Sequence, residues 1–182
     1  MNKNEQGTFL ILIAMVVCLS PYQSVLADNL SDAHRLLRIT DMGEKFKHTT
    51  QSQTADIVRT YSSIVVMTTD VTLPESIKRQ IANCYYQTYT WEKFEPGIAR
   101  IFADTLSQTE LRILIDFFSD RSIPPAYIEL FKNLRDKSGT IERLSIDYIV
   151  DHSEGCDKQN VSLILTFLAT TNFETADNFY GR

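Results

Sequence analysis

The run LSQTELRILIDFF at residues 106–118 leaves this part of the chain little choice but a helix. Ser107 and Glu110 have the Ser-x-x-Glu spacing of a capping box. In that motif a hydroxyl and a carboxylate each satisfy a backbone N–H that a helix terminus leaves unpaired. Leu111, Leu114, Ile115 and Phe118 recur at helical spacing, and Ile113 and Phe117 widen the stripe. Such a helix is expected to be buried over much of its surface. Ser119-Asp120-Arg121 ends it. Pro124 and Pro125 cannot continue a helix but can begin one, and Tyr127, Leu130, Phe131 and Leu134 repeat the pattern. The spacing predicts a helical hairpin at the centre of the domain.

The rest of the chain follows the same grammar. Ser31 is placed to cap a helix with Ala33, Leu36 and Leu37 on one face. Asp41-Met42-Gly43 reads as a break. Residues 44–68 read as one long helix with a weak, Thr-rich middle and an apolar stripe of Ile57, Tyr61, Ile64 and Val65. Thr72-Leu73-Pro74-Glu75 starts another helix, whose inward stripe is Ile77, Ile81, Cys84 and Tyr85. Thr90 is placed to cap the next, with Trp91 at its start, Phe94, Ile98, Ile101 and Phe102 facing in, and Gly97 marking close packing. Gly139 is expected to close the helix through Leu134, and Thr140 to cap one carrying Ile141, Leu144 and Tyr148. The run VSLILTFLA at 161–169 fits a helix through Val161, Ile164, Leu165 and Leu168. It equally fits a strand through Val161, Leu163, Leu165 and Phe167. The expectation is an all-α protein, a compact bundle of about six or seven short helices, with the segment after 157 ambiguous between helix and strand.

The first residues set the compartment. Lys3, the apolar run FLILIAMVVCL at 9–19 and small residues at Val25 and Ala27 make a secretory signal peptide, residues 1–27, cut near Ala27/Asp28. The apolar run is short for a bilayer span, although an uncleaved anchor is the alternative. Cys18 invites lipidation, but Val17 is a poor neighbour for it. What remains, 28–182, reads as a single helical domain in a bacterial periplasm or outside the cell, with no integral membrane segment. Two cysteines stay in it, Cys84 and Cys156, and an oxidising compartment favours one disulfide over two buried free thiols.

The formal net charge of the whole chain is −5, and removing Lys3 with Glu5 leaves it unchanged. With no basic block, the chain lacks the clustered Lys and Arg that nucleic acid or an anionic membrane surface demands. Candidate chemistry is thin. His34, His48 and His152 stand at no metal-ligand spacing, and no HExxH occurs. Asp104 and Asp116 would be the carboxylates for acid–base work, but each reads more simply as an exposed helix acid. No phosphate loop and no nucleophile elbow is present, so neither a catalytic residue nor a cofactor or metal ligand is assigned. Asn160-Val161-Ser162 matches a glycosylation acceptor that has no bearing on a bacterial chain. The unusual patch is CYYQTYTWEKF at 84–94. Tyr86, Tyr89 and Trp91 cannot all face one core from one helix. They either staple helix ends or form a contact surface, where Tyr and Trp supply stiff area with a polar tip.

The stretch TWEKFEPGIARIFADTLSQTELRILIDFF at 90–118 resembles the core of the DUF2059 family of bacterial secreted proteins. Trp91 stands for the family's Trp-led helix. Phe102, Asp104, Thr105 and Leu106 stand for its aromatic-acid-Thr-Phe run, Ser107, Glu110 and Leu111 for its Ser/Thr-x-x-Glu-Leu, and Phe117-Phe118 for its aromatic pair. LLRITDMGEKF at 36–46 is similar to the family's Leu-Leu-x-x-x-Gly-Met region with Gly and Met reversed. The chain departs at 119–123, where Ser-Asp-Arg-Ser-Ile replaces the Ser-Pro-x-Gly turn. The resemblance, with a core at about 72–136, implies an all-helical periplasmic domain and no particular activity. The functional expectation is therefore a non-enzymatic interaction module, of inhibitor or immunity type among other possibilities, whose partner is another envelope or secreted protein. A structural or chaperone-like envelope factor is the alternative, and an enzyme with an unrecognised site a more distant one.

Overall fold

The computed structural model describes residues 21–122, 124–153 and 155–180, with side-chain surroundings for 28–122, 124–153 and 155–171. The start of the expected signal peptide and Cys18 lie outside the described residues. Among the described residues there are seven α-helices, one 3-10 turn and no strand. The helices are α1 (Pro21–Ile39), α2 (Met42–Thr69), α3 (Glu75–Thr88), α4 (Trp91–Thr105) and α5 (Gln108–Phe118). The 3-10 turn Pro125–Tyr127 leads into α6 (Ile128–Asp151), and α7 is Cys156–Tyr180. The all-α expectation holds, but the helices are not uniformly short: α2, α6 and α7 have 28, 24 and 25 residues.

Three differences from the sequence reading have physical causes. α1 does not begin at a Ser31 cap; it starts at Pro21, a residue whose fixed φ suits a first turn, and runs through Ala27–Asp28 and Ser31. α6 does not break at Gly139. Leu134, Ile141 and Tyr148 stay in phase across it, and one exposed glycine costs a helix only about 1 kcal/mol. The segment after 157 is helical. Its buried face is not the expected stripe, however: Cys156, Asn160 and Ile164 are buried at a spacing of four and Leu168 is half-buried, while Val161 and Leu165, which the helix and strand readings alike turned inward, are exposed.

The chain forms two compact units. One is drawn from the described residues up to Met42 and from Glu95–Asp147. In it α1 packs along α5, and Ala33, Leu36, Leu37, Leu111, Ile113 and Ile115 are buried. The buried arc of α5 is turned from the expected one: Leu114 is half-buried, and Phe117 and Phe118 are exposed. Asp32 on α1 takes the Arg112 guanidinium of α5 at 3.3 Å.

The capping box at the start of α5 is present as the sequence predicts. The Glu110 N–H donates to Ser107 Oγ at 3.3 Å, and the Ser107 N–H donates to Glu110 Oε2 at 2.7 Å. The structure adds a partner. Lys137 Nζ of α6 reaches Glu110 Oε2 at 2.8 Å and the Thr105 carbonyl at 3.2 Å. One carboxylate, 4% exposed, thus ties the end of α4 and the start of α5 to the middle of α6. Burial pushes the Glu110 carboxyl up. The Lys137 ammonium and the Ser107 N–H and hydroxyl outweigh it and hold the group below the ordinary carboxylate value.

The second unit is drawn from Gly43–Phe94 and from the described residues beyond Tyr148. Here α3 packs on α7, and Val65, Leu73, Ile81, Tyr85, Cys156 and Ile164 form the core. On α2, Ile57, Tyr61 and Val65 face this core as expected, but Val58 takes the place given to Ile64, which is exposed. Cys84 and Cys156 are bonded, with Cα atoms 5.8 Å apart, inside the range a disulfide bridges. A second cluster is aromatic. Phe94 is fully buried among Phe46, Tyr89 and Tyr148, and Phe46 also meets Trp91.

Asp41, Asp70 and Asp120 take a left-handed φ after α1, α2 and α5. This is the helix-closing role usually given to glycine, and short polar side chains tolerate it best. Pro96 lies inside α4, where it removes the bond to the Glu92 carbonyl.

Leu111→Ala should cost about 2–5 kcal/mol in denaturant unfolding; a loss under half a kcal/mol would show that α1 does not cover that face. Glu110→Gln should cost about 1.5–3 kcal/mol near pH 7. The folded-state value lies below the unfolded one, so this contribution is complete above about pH 5 and is lost as pH falls through the folded-state value. The gap between wild type and variant should therefore narrow on acidification, and a gap constant down to about pH 3 would contradict the ionised pair.

Candidate functional site

The turn between α3 and α4 decides where the aromatic residues go. α3 ends at Thr88, with the Tyr89 N–H donating to the Tyr85 carbonyl at 2.8 Å, and α4 begins at Trp91. Tyr85 and Tyr89 stack one turn apart, with ring centres 6.2 Å apart. Tyr89 continues to Phe94 at 6.0 Å, and Trp91 lies 5.7 Å from Phe46. The objection that three aromatics cannot share one helix face disappears, because Trp91 belongs to the next helix. Tyr89 and Trp91 are half-buried in this aromatic cluster. Tyr86, on the outer side of α3, is 44% exposed and has no ring partner among the described residues.

Gly43 makes room for the indole. A Cβ at this position would lie 2.9 Å from Trp91 Cδ1 and 3.0 Å from Nε1. The start of α2 and the start of α4 can therefore approach only where residue 43 has no side chain.

The three aromatics line a single cleft of about 440 Å³, a size that suits a small ligand or a segment of a partner. Its polar lining is Thr50 and Gln51 from α2 and Thr90 from the turn. Its charged lining is Glu44, Lys47 and Glu92. Glu44 faces Lys47 at 3.7 Å and His48 at 3.6 Å. Among the described residues the side chains of Thr50, Gln51, Tyr86, Thr90 and Glu92 make no hydrogen bond or ion pair within the protein. Both helices that begin in this wall also carry first-turn N–H groups without intrahelical partners.

A second cleft, about 420 Å³, lies beside the disulfide, between the end of α3 and the start of α7. In it the Tyr85 hydroxyl donates to Asp157 Oδ1 at 2.7 Å, and the Thr88 hydroxyl lies 3.3 Å from Cys156 Sγ. Burial, then the Asp157 carboxylate, pushes the Tyr85 phenol far above its ordinary value. Tyr85 is thus a fixed donor, not a base. Asn160 is 1% exposed, and neither of its side-chain amide atoms has a hydrogen-bond partner among the described residues.

The other candidates are dispersed. His34 Nδ1 meets the Glu95 carboxylate, and His152 Nδ1 meets the Tyr148 carbonyl at 2.8 Å. Asp116 pairs with Arg121 at 3.1 Å, and Asp104 is exposed. Among the described residues no group of three or more His, Cys, Asp or Glu is placed to hold a metal ion, and no helix is long and apolar enough to cross a membrane. Compared with protein-family models, curated proteins and solved structures, the chain has no match.

Trp91 is the sole tryptophan and so reports on the cleft. Gly43→Ala would ordinarily stabilise a helix by about 0.5–1 kcal/mol. Against Trp91 it should instead destabilise by about 1–3 kcal/mol and shift the tryptophan emission. A stabilised protein with unchanged emission would remove Gly43 from any role in seating the indole.

Proposed function

We propose that this protein is a non-enzymatic helical interaction module of the bacterial periplasm, and that the cleft of Tyr86, Tyr89 and Trp91 is where its protein partner docks. The carrying observation is that the aromatic residues left over from the helix stripes line one cleft whose polar side chains are uncommitted within the protein. Rigid aromatic walls lose little entropy on binding and offer large contact area. The periplasmic address rests on the leader-like residues 1–27, and the Cys84–Cys156 bond is compatible with an oxidising compartment. Placement in the DUF2059 family rests on the residues quoted above, and an all-helical fold is what that resemblance implies.

The test is affinity capture from cell envelope with the exported form of the protein as bait. Tyr86→Ala is the variant of choice, because Tyr86 is exposed and stacks on no ring, whereas Tyr89 and Trp91 also hold the aromatic cluster together. A stoichiometric protein partner retained by wild type and reduced at least about tenfold by Tyr86→Ala is expected, a loss near 1.4 kcal/mol. Equal recovery by both baits would place the interface elsewhere.

One observation favours the alternative of a chaperone-like envelope factor. Phe117, Phe118, Tyr127 and Ile128 are exposed around the turn between α5 and α6, with Phe117 against Phe131 at 5.1 Å. Exposed apolar clusters of this kind bind hydrophobic dyes and unfolded segments. Strong dye binding by the folded protein, abolished by Phe118→Ser, would favour that reading over the cleft.

A further inference from the structure

We propose that the Cys84–Cys156 bond is a site of reversible thiol modification, in which a small thiolate attacks Cys84 Sγ and Cys156 departs as the leaving thiolate. The two sulfurs are not equivalent. Access, leaving-group chemistry and local charge all select the same one for attack.

Cys84 is half-buried on α3, whereas Cys156 is 5% exposed. Cys84 Sγ lies 3.3 Å from Gln159 Oε1 in a contact at the protein surface, and the Gln159 side chain is itself exposed. Exchange requires a thiolate to reach one sulfur of the pair, so the accessible sulfur is the one attacked. A half-buried sulfur in the body of a helix admits a small thiol before a bulky protein.

Cys156 is the better leaving group. It is the first residue of α7, and the first intrahelical bond there runs from the Gln159 N–H to the Gly155 carbonyl at 3.1 Å. The N–H groups of Cys156, Asp157 and Lys158 come before it and have no intrahelical acceptor. A negative charge on Cys156 is therefore favoured by the helix start. A second donor is independent of the helix: the Thr88 hydroxyl lies 3.3 Å from Cys156 Sγ. A bonded sulfur has no proton to give, so this hydroxyl is the donor, and it is in place for the thiolate as well. Cys84 has neither aid, since it stands one turn before the C-terminal end of α3, where the helix field disfavours an anion.

The charges nearby do not reverse this choice. Asp157 is the carboxylate beside the pair, but its Oδ1 accepts from the Tyr85 hydroxyl at 2.7 Å, and Lys158 stands in the same wall. One turn to either side of Cys84, α3 presents Gln80 and Gln87, both exposed and both uncharged. An incoming thiolate meets no carboxylate from them.

The electrons balance within the thiols. The attacking sulfur forms a bond to Cys84 Sγ as the Cys84–Cys156 bond breaks, and the electron pair of that bond goes to Cys156 Sγ. One disulfide has replaced another, with no net oxidation. Attack by Cys156 on the mixed disulfide restores the original bond. Attack by a second small thiol instead releases Cys84 as a thiolate, reduces the protein by two electrons and yields the small disulfide as the oxidised product.

The probe is glutathione in large excess over the full exported, oxidised protein, without denaturant. Acid quenching, alkylation of free thiols and peptide mapping by mass locate the products, and circular dichroism shows that the protein is folded when the reaction begins. Glutathione should appear on Cys84 and the alkyl group on Cys156, with a rate proportional to glutathione concentration. Thr88→Val, which removes only the hydroxyl donor, should slow opening severalfold and leave the attacked sulfur unchanged. Glutathione on Cys156, no mixed disulfide at all, or a rate independent of glutathione and equal to that of global unfolding would each overturn the proposal. An unchanged rate in folded Thr88→Val would also count against it, since the leaving thiolate would then owe nothing to that hydroxyl.

Discussion

The bond between Cys84 and Cys156 is the constraint on which the second unit depends. It joins α3 to α7 across a separation of 72 residues, a loop whose closure in the unfolded chain is worth about 4 kcal/mol in the entropic account. The tie does more than lower the entropy of the unfolded state. It fixes the last turns of α3 against the first turn of α7, where Tyr85 meets Asp157 and where the core of Ile81, Tyr85 and Ile164 closes. From Tyr85 the ring contacts run on to Tyr89, Phe94, Phe46 and Trp91. The position of the aromatic cleft is thus inherited, contact by contact, from a covalent bond in the last turns of the same helix.

The first unit is arranged around a polar anchor instead. Glu110 began as a local capping residue in the sequence, and it is one, but Lys137 converts it into a joint between three helices. A carboxylate that deep would be costly if left alone. With two N–H or O–H donors from Ser107 and an ammonium from Lys137, it is satisfied and fixes register.

Much of the helical structure was legible in the chain because its signals are local. The capping box at Ser107, the stripe of Ile77, Ile81 and Tyr85, and the long helix across the polar 44–56 region needed only neighbouring residues to be read. The errors came where a local signal competed with a tertiary one. Gly139 looked like a stop, but the apolar phase from Leu134 to Ile141 carried α6 through it. Phe118 looked like core, but α1 covers the side of α5 that holds Leu111 and Ile115, and leaves Phe117 and Phe118 outside. The cleft was half legible. Tyr86, Tyr89 and Trp91 stood out as surplus to the stripes, yet Gly43, Thr50 and Gln51 had no signal connecting them to that region. The pairings of Lys137 with Glu110 and of His34 with Glu95 span 27 and 61 residues, distances over which spacing rules say nothing.

The interleaving of the two units has a consequence for how the chain acquires its structure as it emerges. Residues 43–94 appear before 95–147, yet the elements they pack against, in α7, come last. A chain released N-terminus first can assemble α1, α5 and the early part of α6 while α2 and α3 still wait with their apolar faces uncovered and Cys84 unbonded. Contacts at such sequence separation form slowly, because the intervening loop must be closed before they reward it. The interval between the appearance of Cys84 and that of Cys156 is therefore the time when this protein is most exposed to mispairing with other thiols and to capture by its neighbours.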